Sequence, residues 1–318
     1  MKVAKRRTKE KRTKPETKRA GKAPIGQLFN FARDSYLERT SRPIYAIGFL
    51  LPFVIFYEVG TILINTDILN QSEIRVVAFV WLRDLLESIG FGGKFAWVAP
   101  PLVVVAILAG LQVSSRKRWT FDVRDTVPMA AECIVLAVPL IVLSLLLNNP
   151  HVPQNRLDRF AAGGLAVYSS QPTATVDQLH TLPLLAAQSN LPRANHMLLA
   201  NVVTGVGAGI YEELVFRLIL ICLLMMLFQD IFGLDQKNSI VLSVLISATL
   251  FSAHHHIDLL TGRANPTEPF DFTRFAFRAM AGIYFAILFA IRGFGITAGT
   301  HAFYDIIATI INALFFER

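Results

Sequence analysis

Three short elements in the C-terminal third carry the residue types that do chemistry, and all three lie in apolar sequence. The first is Gly205-Val206-Gly207-Ala208-Gly209-Ile210-Tyr211-Glu212-Glu213-Leu214-Val215-Phe216-Arg217. The second is Leu250-Phe251-Ser252-Ala253-His254-His255-His256, and the third is His301-Ala302-Phe303-Tyr304-Asp305. A charge at the centre of a bilayer costs roughly 2.5–3.5 kcal/mol on insertion scales, so such residues usually have a function. Two adjacent carboxylates need a cation or a shared proton nearby. On a helix Glu213 and Arg217 share a face and can pair, while Glu212, rotated by about a quarter turn, aims elsewhere. His301 and Asp305 likewise share a face. A carboxylate, imidazoles from two further segments and a second carboxylate are the inventory for activating a water and stabilising an oxyanion.

Each piece also has a plainer reading. Glu213–Arg217 reads first as a structural ion pair, and a lone histidine in an apolar helix is often a hydrogen-bonded core residue. Of three consecutive histidines only one faces a site well. Glu58, near the end of the first apolar run, reads as interfacial. The set carries more weight than any member.

The elements that must position these residues are membrane helices. The chain has 318 residues, 53% hydrophobic and only 17% charged, against about a quarter charged in soluble domains. Crossing the hydrocarbon layer takes roughly 20 mostly apolar residues. Runs of that kind lie at about 43–64, 95–113 and 128–147, and four more follow from Met197 onward. The reading is an all-α, multi-pass helical membrane protein of about seven spans, with 197–228 either one tilted helix or two pieces. Residues 72–90 alternate apolar and charged side chains and predict a helix lying in the interface. The small residues at 205, 207 and 209 let another backbone approach closely.

Charge divides the chain. Residues 1–42 hold 14 Lys and Arg against 4 Asp and Glu, and the remainder holds 17 against 19. The basic tail is expected to be largely disordered, cytoplasmic and able to touch anionic lipids. No nucleic-acid partner is expected. The link 114–127, with Arg116, Lys117, Arg118 and Arg124, is expected on the same side. Residues 148–196 form a long polar loop, so three regions follow: tail 1–42, membrane region 43–196, and a third region 197–316. Cys133 and Cys222 suggest no disulfide framework.

The order Glu212-Glu213-x-x-x-Arg217, Phe251-x-x-x-His255, His301-x-x-x-Asp305 resembles the CPBP family of intramembrane proteases, over about residues 197–316. The family comprises type II CAAX prenyl endopeptidases and bacteriocin-processing proteins. The resemblance implies an endopeptidase acting on a membrane protein or peptide, with a bacterial cell membrane as the expected location. It implies Glu212 as general base with His255 as partner and His254 as fallback. It further implies His301 and Asp305 at the oxyanion, and Glu213 and Arg217 in support. It favours no cofactor. The alternative is a divalent metal such as zinc on Glu212, His255 and His301. A transporter or channel using the same buried charges is the rival class, and a non-cutting binding protein is a third. His255 falls roughly 16 residues into its run and His301 about six into its own, so alternating straight helices would leave them at different depths. At least one of the last spans is therefore expected to be irregular, with freed backbone lining the cavity.

Overall fold

The structure, a computed structural model, describes residues 31–32, 34–64, 75–91, 95–147, 193–265 and 268–315. Ten α-helices are present among them: α1 (Tyr36–Thr40), α2 (Pro43–Ile64), α3 (Val77–Ser88), α4 (Phe95–Ser115), α5 (Thr126–Leu147), α6 (Arg193–Glu213), α7 (Ile221–Met226), α8 (Gln236–Ala253), α9 (Phe272–Arg292) and α10 (Phe294–Phe315). No strand occurs among the described residues, only an isolated bridge between Ile257 and Ala264. Most of the basic tail (1–30), the first residues of the expected interfacial helix and most of the polar loop (148–192) lie outside the described residues.

Six helical stretches are long and apolar enough to cross a bilayer: Pro43–Ile64, Val98–Ser115, Val123–Leu147, Met197–Ile231, Phe272–Arg292 and Phe294–Phe315. The fourth is continuous, so 197–228 is one long helix and not two pieces. It is regular through Glu213 and then widens into π-helical turns at Leu214–Leu220 and Leu227–Ile231. The helix α8 makes the seventh element of the bundle. Its polar first turn and its serines at 239, 243, 247 and 252 keep it out of the six.

Contacts show how these helices alternate. Arg292, at the end of α9, donates to the Leu37 carbonyl at 2.9 Å and to Ser41 at 2.8 Å. Lys117 lies 3.7 Å from Glu38, and Arg39 meets Asp125 at 3.0 Å. The start of α2, the α4–α5 link and the α9–α10 turn thus share one end of the bundle. Gly205 packs at Asp305 and Gly209 at Ala298 and Ala302, so α6 runs antiparallel to α10. Ala248 packs at Gly282 and Ser252 donates to the Phe275 carbonyl, which pairs α8 with α9 in the same sense. Gly293, at φ 77°, makes the tight turn that joins α9 to α10.

Three expectations need correction. Residues 34–42 are not part of a loose tail, because α1 and its ion pairs fix them to the bundle. Arg42 is buried and bonds Glu38 and Asp34, and that guanidinium, against the cost of burial, holds the Glu38 carboxyl below its usual range. The amphipathic helix is shorter than its pattern, Val77–Ser88, and its Ala78, Phe79, Val80, Leu82 and Leu86 are buried against the other helices. Glu58 is not a lone interfacial residue: it accepts from Tyr211 at 3.2 Å and pairs with Arg75 at 3.2 Å.

The α6–α10 contact is a close one, and glycine makes it so. A Cβ on Gly209 would sit 2.6 Å from the Ala302 backbone nitrogen and 2.8 Å from the Ala298 carbonyl oxygen. Those are backbone atoms and cannot swing aside. Gly209→Val is therefore expected to cost about 3 kcal/mol or more, above the ordinary overpacking range. Gly110→Ala, with nothing within 4 Å of its Cβ, is expected to be neutral. Thermal unfolding of both variants in detergent checks this; equal midpoints would contradict the packing.

Candidate functional site

Glu212 and Glu213 end the regular part of α6, where the helix begins to widen. A π-helical turn breaks the normal ladder and re-aims the side chains around it. One carbonyl in the widened turn, that of Phe216, accepts from Ser247 of α8 at 2.7 Å, which satisfies backbone that the bilayer could not. The irregularity expected in one of the last spans thus falls here, in the long helix, while α9 and α10 stay regular. The α8 helix also stops at Ala253, so His254, His255 and His256 stand on turn backbone beyond it.

All the charged groups of the three elements are buried, with Glu213 and Arg217 at 0% exposure. Glu213 is the hub. Its Oε2 lies 3.0 Å from Arg217 Nε, and its Oε1 lies 2.8 Å from His301 Nδ1. Arg217 is clasped by aromatic faces, its guanidinium 4.0 Å above the Phe251 ring and 5.5 Å from that of Phe285, a cation–π setting that partly replaces lost hydration. Phe285 stacks on His301 with ring centroids 4.6 Å apart. The other ring nitrogen of His301, Nε2, lies 3.5 Å from Asp305 Oδ2.

Glu212 faces the histidine turn. Its Oε1 is 3.5 Å from His254 Nε2, and one ligand atom from each of Glu212, His254 and His255 lies within 4.8 Å of the others. His254 is held by its Nδ1 against the Phe251 carbonyl and packs on Phe216 and on Trp81 of α3. The ring of Phe251 lies 5.7 Å from that of His255 and 6.0 Å from that of His301, so both histidines border one side chain.

The structure therefore brings together Glu212, Glu213, Arg217, His254, His255, His301 and Asp305. The imidazole that touches Glu212 is that of His254. A three-ligand set at Glu212 takes in His254 and His255, and among the described residues it does not include His301. His256 points away, with Nδ1 on the Glu268 carbonyl at 3.3 Å. Sequence reasoning passed over Arg278 and Glu268, a buried pair at 2.9 Å. The only available signal was an arginine at mid-helix in α9.

Fold and site define a helical membrane protein with a buried carboxylate–imidazole centre. Residues 194–307 match the family model described as type II CAAX prenyl endopeptidase Rce1-like, which supports the resemblance of this segment to the CPBP family of intramembrane proteases. No curated protein and no solved structure matches the chain significantly.

Removing one partner of a buried ion pair typically costs about 3–5 kcal/mol, because the other charge is left stranded. Arg217→Met alone is accordingly expected to lower the unfolding midpoint steeply. Arg217→Met combined with Glu213→Gln is expected to recover part of that loss. A double-mutant cycle by thermal unfolding measures the coupling; additive effects would deny the pair.

Proposed function

We propose that the chain is an intramembrane endopeptidase that hydrolyses a peptide bond of a membrane-associated protein or peptide, with Glu212 as general base. One observation carries this reading. His254 Nε2 and His255 Nδ1 are buried with no hydrogen-bond partner, beside the Glu212 carboxylate. A stranded buried polar atom costs about 1–3 kcal/mol, and a water lodged between these three groups would satisfy all of them.

In this reading Glu212 takes a proton from that water, whose oxygen attacks the substrate carbonyl carbon. The tetrahedral intermediate collapses as Glu212 passes the proton to the leaving nitrogen and the C–N bond breaks. His254, the imidazole nearest Glu212, holds the water, and His255 borders it. Negative charge on the carbonyl oxygen falls to His301 Nε2 and Asp305. Glu213 holds the His301 ring by accepting from Nδ1–H, so Nε2 donates to the oxyanion from the imidazolium form, in which both ring nitrogens carry protons. Asp305 serves this step as the neutral acid, since only that form donates a hydrogen bond. Oxyanion donors of this kind are worth about 10²–10³ in rate each.

The donors Glu212, His254 and His255, each with a ligand atom within 4.8 Å of the others, also fit a divalent ion. An ion bound there would supply Lewis-acid polarisation and a more acidic water. Base catalysis by Glu212 needs no such ion. Lys and Arg gathered at the end of the bundle near Ser41 support a cytoplasmic placing of that end.

Purified Glu212→Gln protein in proteoliposomes is expected to insert and melt as the parent does, yet to lose cleavage by about 100-fold or more. Retained cleavage would sink the mechanism. The parent is expected to keep its activity under a strong chelator; loss of activity, with near-stoichiometric zinc in the protein, would move the reading to the metal-bound form.

A further inference from the structure

The histidines that face Glu212 stand beyond the end of α8, so the helix alone does not set their direction. What sets it is the segment that follows. Asp258 N–H donates to the Arg263 carbonyl at 2.8 Å, and Asn265 N–H donates to the His256 carbonyl at 2.8 Å. The Asn265 side chain donates to the His255 carbonyl at 3.0 Å. His256 Nδ1 meets the Glu268 carbonyl. The backbone carbonyls of His255 and His256 are thus tied to Asn265, and the His256 ring to Glu268.

One anchor holds that segment to the bundle: the Glu268 carboxylate pairs with Arg278 of α9, and both side chains are under 8% exposed. Within the segment, Asp258 accepts from Thr261 and from the Leu260 N–H at 3.0 Å, bonds that against the cost of burial hold its carboxyl below the usual range. Arg278 is also close enough to act electrostatically on His255 and Asp305. A buried ion pair adds little net stability over apolar packing, so its location is the informative feature: it ties α9 to the segment that carries the histidine turn.

We propose that Glu268 and Arg278 are positioning residues, whose ion pair clamps Glu268, the partner of the His256 ring, to α9 and thereby sets how the histidine turn meets Glu212. The consequence for rate rests on the endopeptidase reading; the geometric claim does not. Reacting groups tolerate little misplacement, with about 1 Å costing on the order of 100-fold. A released clamp leaves substrate binding largely alone and slows the chemical step.

Trp81 gives a readout independent of cleavage, because its ring lies 5.8 Å from that of His254 and an imidazole quenches indole emission on close approach. The experiment uses the full chain with Trp97→Phe and Trp119→Phe, so that Trp81 alone emits. Glu268→Gln and Arg278→Gln are each expected to lengthen the Trp81 lifetime and to lower kcat about 10-fold or more, with KM changed by less than about threefold. The charge-exchanged double variant, Glu268→Arg with Arg278→Glu, is expected to recover both signals in part. Should these variants misfold, Asn265→Ala is expected to change the Trp81 lifetime in the same direction. A Trp81 lifetime unchanged in every folded variant would overturn the clamp, whatever the activity. A parent without proteolysis but with the expected lifetime changes would uphold the clamp and refute the endopeptidase reading alone.

Discussion

A carboxylate buried at 0% exposure in a membrane bundle must be compensated, and Glu213 is compensated twice. Arg217 holds one oxygen and His301 the other. This single group joins α6 to α10, fixes the tilt of His301, and leaves the neighbouring Glu212 to face the histidine turn. The rest of the architecture serves that arrangement. Gly205 and Gly209 bring α10 close enough for His301 to reach α6. Phe251 and Phe285 line Arg217 with aromatic faces in place of water. The widened turn after Glu213 finds its partner in Ser247. Without the Arg217–Glu213–His301 chain, none of these features has an evident purpose.

Much of this was legible in the residues themselves, for physical reasons. Long apolar runs have one outcome in a bilayer, so the spans followed from length and hydropathy, while whether 197–228 is one helix or two did not. The four-residue steps Glu213–Arg217 and His301–Asp305 follow from helical periodicity, and both pairs meet as that period requires. Small residues at 205, 207 and 209 announced a close backbone approach, which the α10 contact fulfils. The family resemblance over about the same segment as the match at 194–307 rested on these same elements.

What was not legible depends on contacts between segments. Spacing from Phe251 points to His255, whereas the imidazole against Glu212 is that of His254, because α8 ends at Ala253 and periodicity ends with it. Glu213 reads as a local partner of Arg217, since nothing in the sequence shows that its second oxygen reaches His301, 88 residues on. Residues 34–42 look like the end of a basic tail by composition. Their ion pairs with Asp125 and hydrogen bonds from Arg292 are tertiary facts. Straight helices would leave His255 and His301 apart, whereas α8 ends at Ala253 and both rings border Phe251.

The central claim is that a water activated by Glu212, and not the carboxylate itself, attacks the substrate. Single-turnover cleavage in ¹⁸O-labelled water tests it directly, with mass analysis of both the product and the Glu212-containing peptide of the protein. The account predicts one ¹⁸O in the new α-carboxyl group and none in Glu212. Label in the Glu212 side chain would reveal a covalent acyl intermediate, and an absence of any cut product, with ion flux through the protein instead, would make the buried charges a transport path.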